Sequence, residues 1–311
     1  MTEYLWTEIY RPSKIEDCIL PPRIKDYFLE YVKQGKIPNL MLTGGPGIGK
    51  TTSAIAMCEE IGLSYMLINA SNENGIDVIR TKIINYASTL SLTGGRKVII
   101  LDEADNLTPA NQSALRGTIE EFSNNCSFIL TCNFKAKLME AIHSRMSVID
   151  FNLTKDERAQ MATLFFKRLK NILGQENVEF DPKVLADIIT RYFPDYRRTL
   201  GELQRLSVTG KIDSNTLAQL ADVRNVKELI GFIKDKNFKE VRKWVVDNGD
   251  VDATRIFRAV YDALNDYMNP SSIPMAIIII AKYQYQNSFV ADVEINLVAC
   301  FTELMVECEF K

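Results

Sequence analysis

The sequence predicts an α/β protein: a doubly wound, parallel-sheet domain in the first half of the chain, followed by all-helical segments. Three observations predict it. Short β-rich runs alternate with helical patterns as far as Phe151. One run, Val98-Ile99-Ile100-Leu101, is apolar throughout, as a parallel strand covered on both faces should be. Beyond Phe151 the strand signals stop and helical patterns take over. Strand–helix alternation with crossover helices is the pattern of a parallel sheet with helices on both faces.

The elements follow in order. Asn39–Thr43, Tyr65–Asn69, Lys97–Leu101, Ser127–Thr131 and Ser147–Phe151 read as strands. Thr51–Ile61, Ile76–Leu90, Pro109–Phe122 and Leu138–Ile142 read as the helices between them. At Asn152-Leu153-Thr154 the pattern breaks, and Thr154 and Glu157 have the spacing of a helix capping box. Helices are then predicted over Lys155–Leu173, Pro182–Tyr192, Arg197–Ser207 and Ser214–Ala221. From about Val223 a further set begins: Val226–Lys234, Phe238–Asp247, Ala253–Tyr267, Ile273–Tyr285 and Asp292–Cys308. The last three have strongly apolar faces and enough length to pack as a bundle.

Composition narrows the function classes. At 311 residues the chain exceeds one ordinary core, so two or three domains are expected. The longest apolar run, Met275–Ala281, falls well short of the ~20 residues that span a bilayer. The start, Met1-Thr2-Glu3-Tyr4, does not read as a signal peptide, so a cytosolic protein is expected. The six cysteines, at 18, 58, 126, 132, 300 and 308, include no C-x-x-C pair and read as small buried thiols. A single histidine, His143, leaves little room for a Ser-His or His-metal centre. A net charge of −3 neither favours nor excludes nucleic acid; any contact must come from local patches or from several subunits acting together.

The chemistry concentrates at the ends of the predicted strands. Gly44-Gly45-Pro46-Gly47-Ile48-Gly49-Lys50-Thr51 matches G-x-x-x-x-G-K-[ST] at every fixed position, and it lies between a predicted strand and a predicted helix. Glycines there let backbone N–H groups converge on phosphate, and the helix N-terminus adds partial positive charge. Lys50 has the reach for the β- and γ-phosphates, and the Thr51 hydroxyl can ligate Mg²⁺. Val98–Leu101 ends in Asp102-Glu103, which places an Asp to orient the metal's shell and a Glu to polarise a water. Asn133 ends the next strand and either faces a γ-phosphate or makes an ordinary turn. Arg145, in His143-Ser144-Arg145-Met146, and Arg197, in Asp195-Tyr196-Arg197-Arg198, read either as site residues or as solvated arginines. Asp102-Glu103-Ala104-Asp105 also matches an RNA-helicase signature, but those enzymes need a second nucleotide-clasping α/β domain and this chain turns helical. No guanine-reading N-K-x-D occurs, so adenine is the expected base.

These residues together resemble the AAA+ family and, more narrowly, its clamp-loader ATPase subunits. Trp6-Thr7-Glu8-Ile9-Tyr10-Arg11-Pro12 is similar to the N-terminal box of replication factor C-type subunits. So are Asn69-Ala70-Ser71, Gly75–Lys82, Gln112–Arg116 and Ser144-Arg145. Cys18–Pro21, Asn125–Ser127, Phe193–Arg197 and Val306–Lys311 resemble the phage branch, the sliding-clamp-loader large subunits of T-even-type phages. The resemblance covers nearly the whole chain and is strongest to about residue 205.

The resemblance implies an AAA+ P-loop domain at 1–152, a small helical lid at 153–223 and a C-terminal helical collar for oligomerisation at 224–311. It implies ATP and Mg²⁺ as cofactors. Thr7, Glu8, Ile9, Tyr10, Arg11 and Ile19 would border the adenine. Gly45, Pro46, Gly47, Ile48, Gly49, Lys50, Thr51 and Thr52 would wrap the phosphates. Thr51 and Asp102 would serve the metal and Glu103 the water. Asn133 and Arg197 would be the two sensors, and Arg145 a finger reaching a neighbour's site. Arg80, Lys82 and Arg116 are the candidates for DNA backbone contact. The implied partners are further copies of the chain, a different small subunit, a ring-shaped sliding clamp and primer–template DNA, with Leu90–Gly95 and the helix end near Phe122 on the clamp side. Two departures stand out: Met146 replaces the family's usual Cys after Ser-Arg, and Asn74 stands where cellular relatives often carry an arginine. The function implied is an ATPase that opens the clamp and loads it during DNA replication. The rivals are a subunit that binds ATP without turnover and another AAA+ DNA motor.

Overall fold

Leu40–Thr43 forms strand β1, buried at all four positions. It lies in a five-stranded, all-parallel sheet with β2 (Tyr65–Asn69), β3 (Lys97–Asp102), β4 (Cys126–Cys132) and β5 (Ser147–Asp150), in the order β2-β3-β4-β1-β5. The strands in the middle of that order are the apolar ones: β1 and β4 are buried throughout, and β3 at every residue but Asp102. The edge strands β2 and β5 are only partly covered. Burial on both faces is what a central parallel strand requires, and it explains the unbroken apolar runs. The consequence for function lies in the order: β4 sits between β1 and β3, so the ends of all three open onto one crevice.

The computed structural model describes residues 4–71, 76–89, 96–208, 210–213, 226–249 and 251–311, and within these no side chains for 76–79. Asn74, Leu90–Gly95 and the helix predicted over Ser214–Ala221 lie outside the described residues. The chain divides into two units, Met1–Ser214 and Asn215–Lys311.

In the first unit the helices α1 (Trp6–Ile9), α2 (Pro22–Gln34), α3 (Lys50–Ile61), α4 (Ile76–Ser88), α5 (Pro109–Glu121) and α6 (Glu140–His143) accompany the sheet. Helix α2 is absent from the sequence-based elements. Its start is signalled by Pro22 at the first turn and its stop by Gly35, whose φ of 65° is left-handed. Ile24 and Phe28, four residues apart, are its buried positions, and both join the core between β1 and α3. Arg23 at its start donates to Asp150 O (2.7 Å) and Asn152 O (2.9 Å) and pairs with Glu157 at 2.8 Å, bracing the exit from β5.

Helices α7 (Lys155–Gln175), α8 (Pro182–Tyr192) and α9 (Tyr196–Ser207) complete the unit. The expectation that strands cease after Phe151 needs correction. Glu179–Phe180 (β6) and Lys211–Ile212 (β7) form a parallel pair. Two residues per strand are too few to produce a period-2 pattern in sequence. The capping box at α7 is present: Thr154 Oγ1 accepts from Glu157 N (3.3 Å), and Glu157 Oε2 accepts from Thr154 N (2.9 Å). Hydrogen bonding from Arg23, and then from the Thr154 N–H, holds the Glu157 carboxyl below the usual carboxylate value. Thr154→Ala is expected to cost about 1 kcal/mol and to lower the melting temperature by about 2–4 °C, read by calorimetry. No change in melting temperature would mean that the box contributes nothing beyond solvent capping.

The second unit packs helices α10 (Val226–Lys234), α11 (Phe238–Asp247), α12 (Ala253–Tyr267), α13 (Ile273–Gln286) and α14 (Val293–Glu307) around one core. Trp244, Phe257 and Phe301 are among its large buried side chains. The chain end is tied in by a bridge between Met268 and Phe310 and by Lys311 N donating to Tyr267 O at 2.9 Å. All six cysteines are free and buried, as their spacing suggests. Among the described residues no helix is long and apolar enough to cross a membrane.

Candidate functional site

The loop from β1 to α3 is shaped by glycine where a side chain has no room. Gly44 has φ 141°, and a Cβ there would lie 2.6 Å from Ile48 Cδ1. Gly47 has φ 70°, and a Cβ would lie 1.8 Å from Asp195 Oδ1 at the start of α9. The Gly47 carbonyl accepts from Tyr196 N at 3.0 Å, so α9 rests directly on the loop.

Lys50 opens α3 and is buried. Its Nζ donates to Gly44 O (2.7 Å), Gly45 O (2.6 Å) and Asn133 Oδ1 (3.0 Å). Burial pushes its pKa down, with Arg197 adding to the shift and the Asp102 and Asp105 carboxylates opposing it. Thr51 Oγ1 and Thr131 Oγ1 both donate to Asp102 Oδ1, each at 2.6 Å. Thr131 Oγ1 also accepts from Glu103 N at 3.1 Å. Glu103 is held at φ 56°, a left-handed conformation uncommon for a side-chain-bearing residue. Its Oε2 accepts from Asn106 Nδ2 at 3.3 Å.

One cleft gathers most of the predicted residues. It is lined by Thr7, Glu8, Arg11 and Ile19 at one end and by Pro46, Gly47, Ile48, Gly49, Lys50, Thr51 and Thr52 along the loop. Asp102, Glu103 and Asn133 line it from the strand ends, and Arg197 from α9. Gly45 contributes its carbonyl to Lys50 rather than a wall. Ile9 and Tyr10 are not among the lining residues: Ile9 is exposed, and the Tyr10 hydroxyl donates to Glu176 Oε1 at 2.5 Å. Arg145 is also away from its own cleft. Its Nε donates to Glu120 Oε1 (2.7 Å) and its Nη1 to Ala141 O (2.6 Å) and Ser144 Oγ (3.0 Å). Met146, the next residue, is buried in the same core cluster as Leu138 and Ile142. Arg80, Lys82 and Arg116 are exposed on the neighbouring helices α4 and α5.

Several lining residues escape the sequence. Thr131 stands two residues before Asn133 on β4, and the two-residue strand period was a usable signal for it. Arg168, Phe165 and Leu200 come from the helical segment, where nothing in the pattern marks them, and Tyr196 lies beside Arg197 in a motif read for the arginine alone. Arg168 donates to Tyr10 O (2.8 Å) and Asp17 O (3.1 Å), tying α7 to both ends of the N-terminal loop. Phe165 and Tyr196 stack edge-on with centroids 4.7 Å apart.

The oxygen donors Thr51 and Asp102 suit a hard divalent cation such as Mg²⁺, which takes one or two protein oxygens and fills its shell with water and phosphate. Among the described residues no group of three or more His, Cys, Asp or Glu is placed to hold a metal ion.

Comparison with known proteins gives the same reading. Residues 40–153 match the family model of the ATPase family associated with various cellular activities (AAA). Residues 157–218 match the model of the sliding-clamp-loader large subunit, AAA+ ATPase lid domain. The sliding-clamp-loader large subunit of Enterobacteria phage T4 is 32% identical over 314 residues, covering 99% of this chain and 98% of that protein. The corresponding subunit of Escherichia phage RB69 is 37% identical over 245 residues, 77% of this chain and 76% of that protein. The replication factor C small subunit of Sulfolobus acidocaldarius is 33% identical over 324 residues, 99% and 97% of the two chains. Among solved structures, the Thermotoga maritima RuvB Holliday junction branch migration motor superposes with a TM-score of 0.52 at 16% identity, over 72% of this chain and 78% of that one. That likeness speaks to fold alone. The chain belongs to the AAA+ ATPases, in the clamp-loader family that acts in DNA replication.

Proposed function

We propose that this chain is the motor subunit of a sliding-clamp loader and uses ATP with Mg²⁺ to open a ring-shaped clamp and place it on primer–template DNA. The observation that carries the reading is the convergence of three strand ends on the P-loop. Thr51 and Asp102 meet at 2.6 Å, Glu103 follows at once, and Asn133 contacts Lys50 from the strand between. In this reading Thr51 and Asp102 hold Mg²⁺, which supplies charge for the phosphates. Glu103 accepts the proton of the attacking water. Lys50 and Asn133 contact the γ-phosphate, and Arg197 reaches it from the lid. Thr7, Glu8, Arg11 and Ile19 border the base.

Arg145 acts on the next copy's nucleotide; its place outside its own cleft supports this. The working assembly contains further copies of the chain and a different small subunit, held through the helices of 224–311. Arg80, Lys82 and Arg116 follow DNA phosphates, a contact that adds affinity without sequence readout. Small patches summed over subunits reconcile DNA binding with a net charge of −3.

The test is ATP turnover by the chain alone, then with small subunit, clamp and primed DNA. Turnover is expected to rise on full assembly. Unchanged turnover with clamp and DNA present would overturn the clamp-loading role. Tight ATP binding with no turnover under any condition would favour a purely structural subunit.

A further inference from the structure

Three carboxylates cluster between β3 and β4, and the family reading gives work to only two of them. The third, Asp105, lies in the short 3-10 turn Ala104–Asn106 that follows Glu103. It is 7% exposed. Its Oδ2 accepts from two successive backbone donors, Asn133 N at 3.2 Å and Phe134 N at 3.1 Å. Its Oδ1 is buried with no hydrogen-bond partner among the described residues.

A buried carboxylate with one empty oxygen is an expensive way to cap a loop. A serine or asparagine would also offer an acceptor there without burying a charge. What the carboxylate gives in return is a strong, charge-assisted hold on two N–H groups. Those groups belong to the residue that touches Lys50 and to the residue after it. The same carboxylate therefore joins the turn that carries Glu103 to the turn that carries Asn133. Thr131 makes a second tie between the same strand ends, through Glu103 N and Asp102. The two ties differ in what they hold. Thr131 fixes the β3 side, whereas Asp105 fixes the β4 side.

We propose that Asp105 is a positioning residue for ATP hydrolysis: by holding the Asn133 and Phe134 N–H groups, it sets the Asn133 side chain against Lys50, facing the γ-phosphate. This rests on the reading of Asn133 as a γ-phosphate contact. Asp105 does not line the cleft. Its effect passes through Asn133 and is lost when Asn133 is lost.

The experiment is a double-mutant cycle in the assembled loader with clamp and primed DNA, reading kcat and ATP affinity separately. Asn133→Ala is expected to lower kcat by about 10²-fold, the scale for losing one preorganised polar contact. Asp105→Ala is expected to lower kcat by about 10-fold or more while ATP affinity moves by less than about 3-fold, because transition-state alignment is lost and ground-state binding is not. In the Asn133→Ala background, Asp105→Ala should then cost almost nothing further. Asp105→Asn keeps an acceptor of the same shape but not the charge, and should recover part of the rate lost in Asp105→Ala. If Asp105→Ala costs the same fold in both backgrounds, or if Asp105→Asn restores nothing, the positioning role is wrong. If Asn133→Ala leaves kcat unchanged, the reading of Asn133 itself fails, which is a separate outcome. Should the alanine variant not fold, Asp105→Glu, which displaces the carboxylate by one methylene, takes its place in the cycle.

Discussion

Glu103→Gln is expected to lower partner-stimulated ATP turnover by about 10²–10⁴-fold while leaving ATP affinity nearly unchanged. Glutamine keeps the size of the side chain and an acceptor for Asn106 Nδ2, but it cannot take a proton from water. The backbone should not relax, because Glu103 N stays bonded to Thr131 Oγ1 and the left-handed φ of 56° is set by the turn. The substitution therefore isolates basicity from geometry. Single-turnover hydrolysis and binding of a fluorescent ATP analogue separate the two quantities. An affinity loss as large as the rate loss would assign Glu103 to binding and leave the general base unidentified.

Arg145→Ala carries the second large effect. The expected result is a loss of about 10³–10⁵ in stimulated turnover, the scale of an arginine supplied in trans. ATP affinity and the slow turnover of the isolated chain should stay the same, since Arg145 does not line its own cleft. Its ion pair with Glu120 is partly solvent-exposed and contributes little to stability, so the variant should fold normally. On the proposed reading, assembly exchanges Glu120 for a neighbour's phosphate, which would make the arginine's reach a property of the complex. Equal losses in the isolated chain and the assembled loader would place Arg145 in its own subunit's chemistry instead.

How much of this was legible in the sequence follows from how local each signal is. The P-loop was readable because its glycines, Lys50 and Thr51 fall within eight consecutive residues. The β3 run announced itself because a strand buried on both faces has no polar alternation to hide it. Helix α2 was harder: Pro21-Pro22 reads as a turn, and only Ile24 and Phe28 are fully buried. The β6–β7 pair joins residues about thirty positions apart through two residues on each side, so no local pattern encodes it. In the site, chain proximity decided what could be seen. Asp102, Glu103 and Asn133 sit at strand ends next to recognisable runs. Arg168 and Phe165 lie in the middle of a 21-residue helix, where they look like any other helix residues. Ile9 and Tyr10 show the opposite limit. A motif places a segment beside a ligand, but the helical turn of α1 decides which of its side chains face inward.

The contact between Gly47 and Asp195 bears on how such proteins can be recombined. Gly47 belongs to the residues matched by one family model and Asp195 to those matched by another, yet a single Cβ at 47 would overlap the Asp195 carboxylate. The glycine loop and the start of α9 are therefore sterically matched in this chain. A lid transplanted from a relative with a bulkier residue at the start of α9 meets the loop before it meets the nucleotide. Exchange between loaders is free only where both sides of this seam travel together.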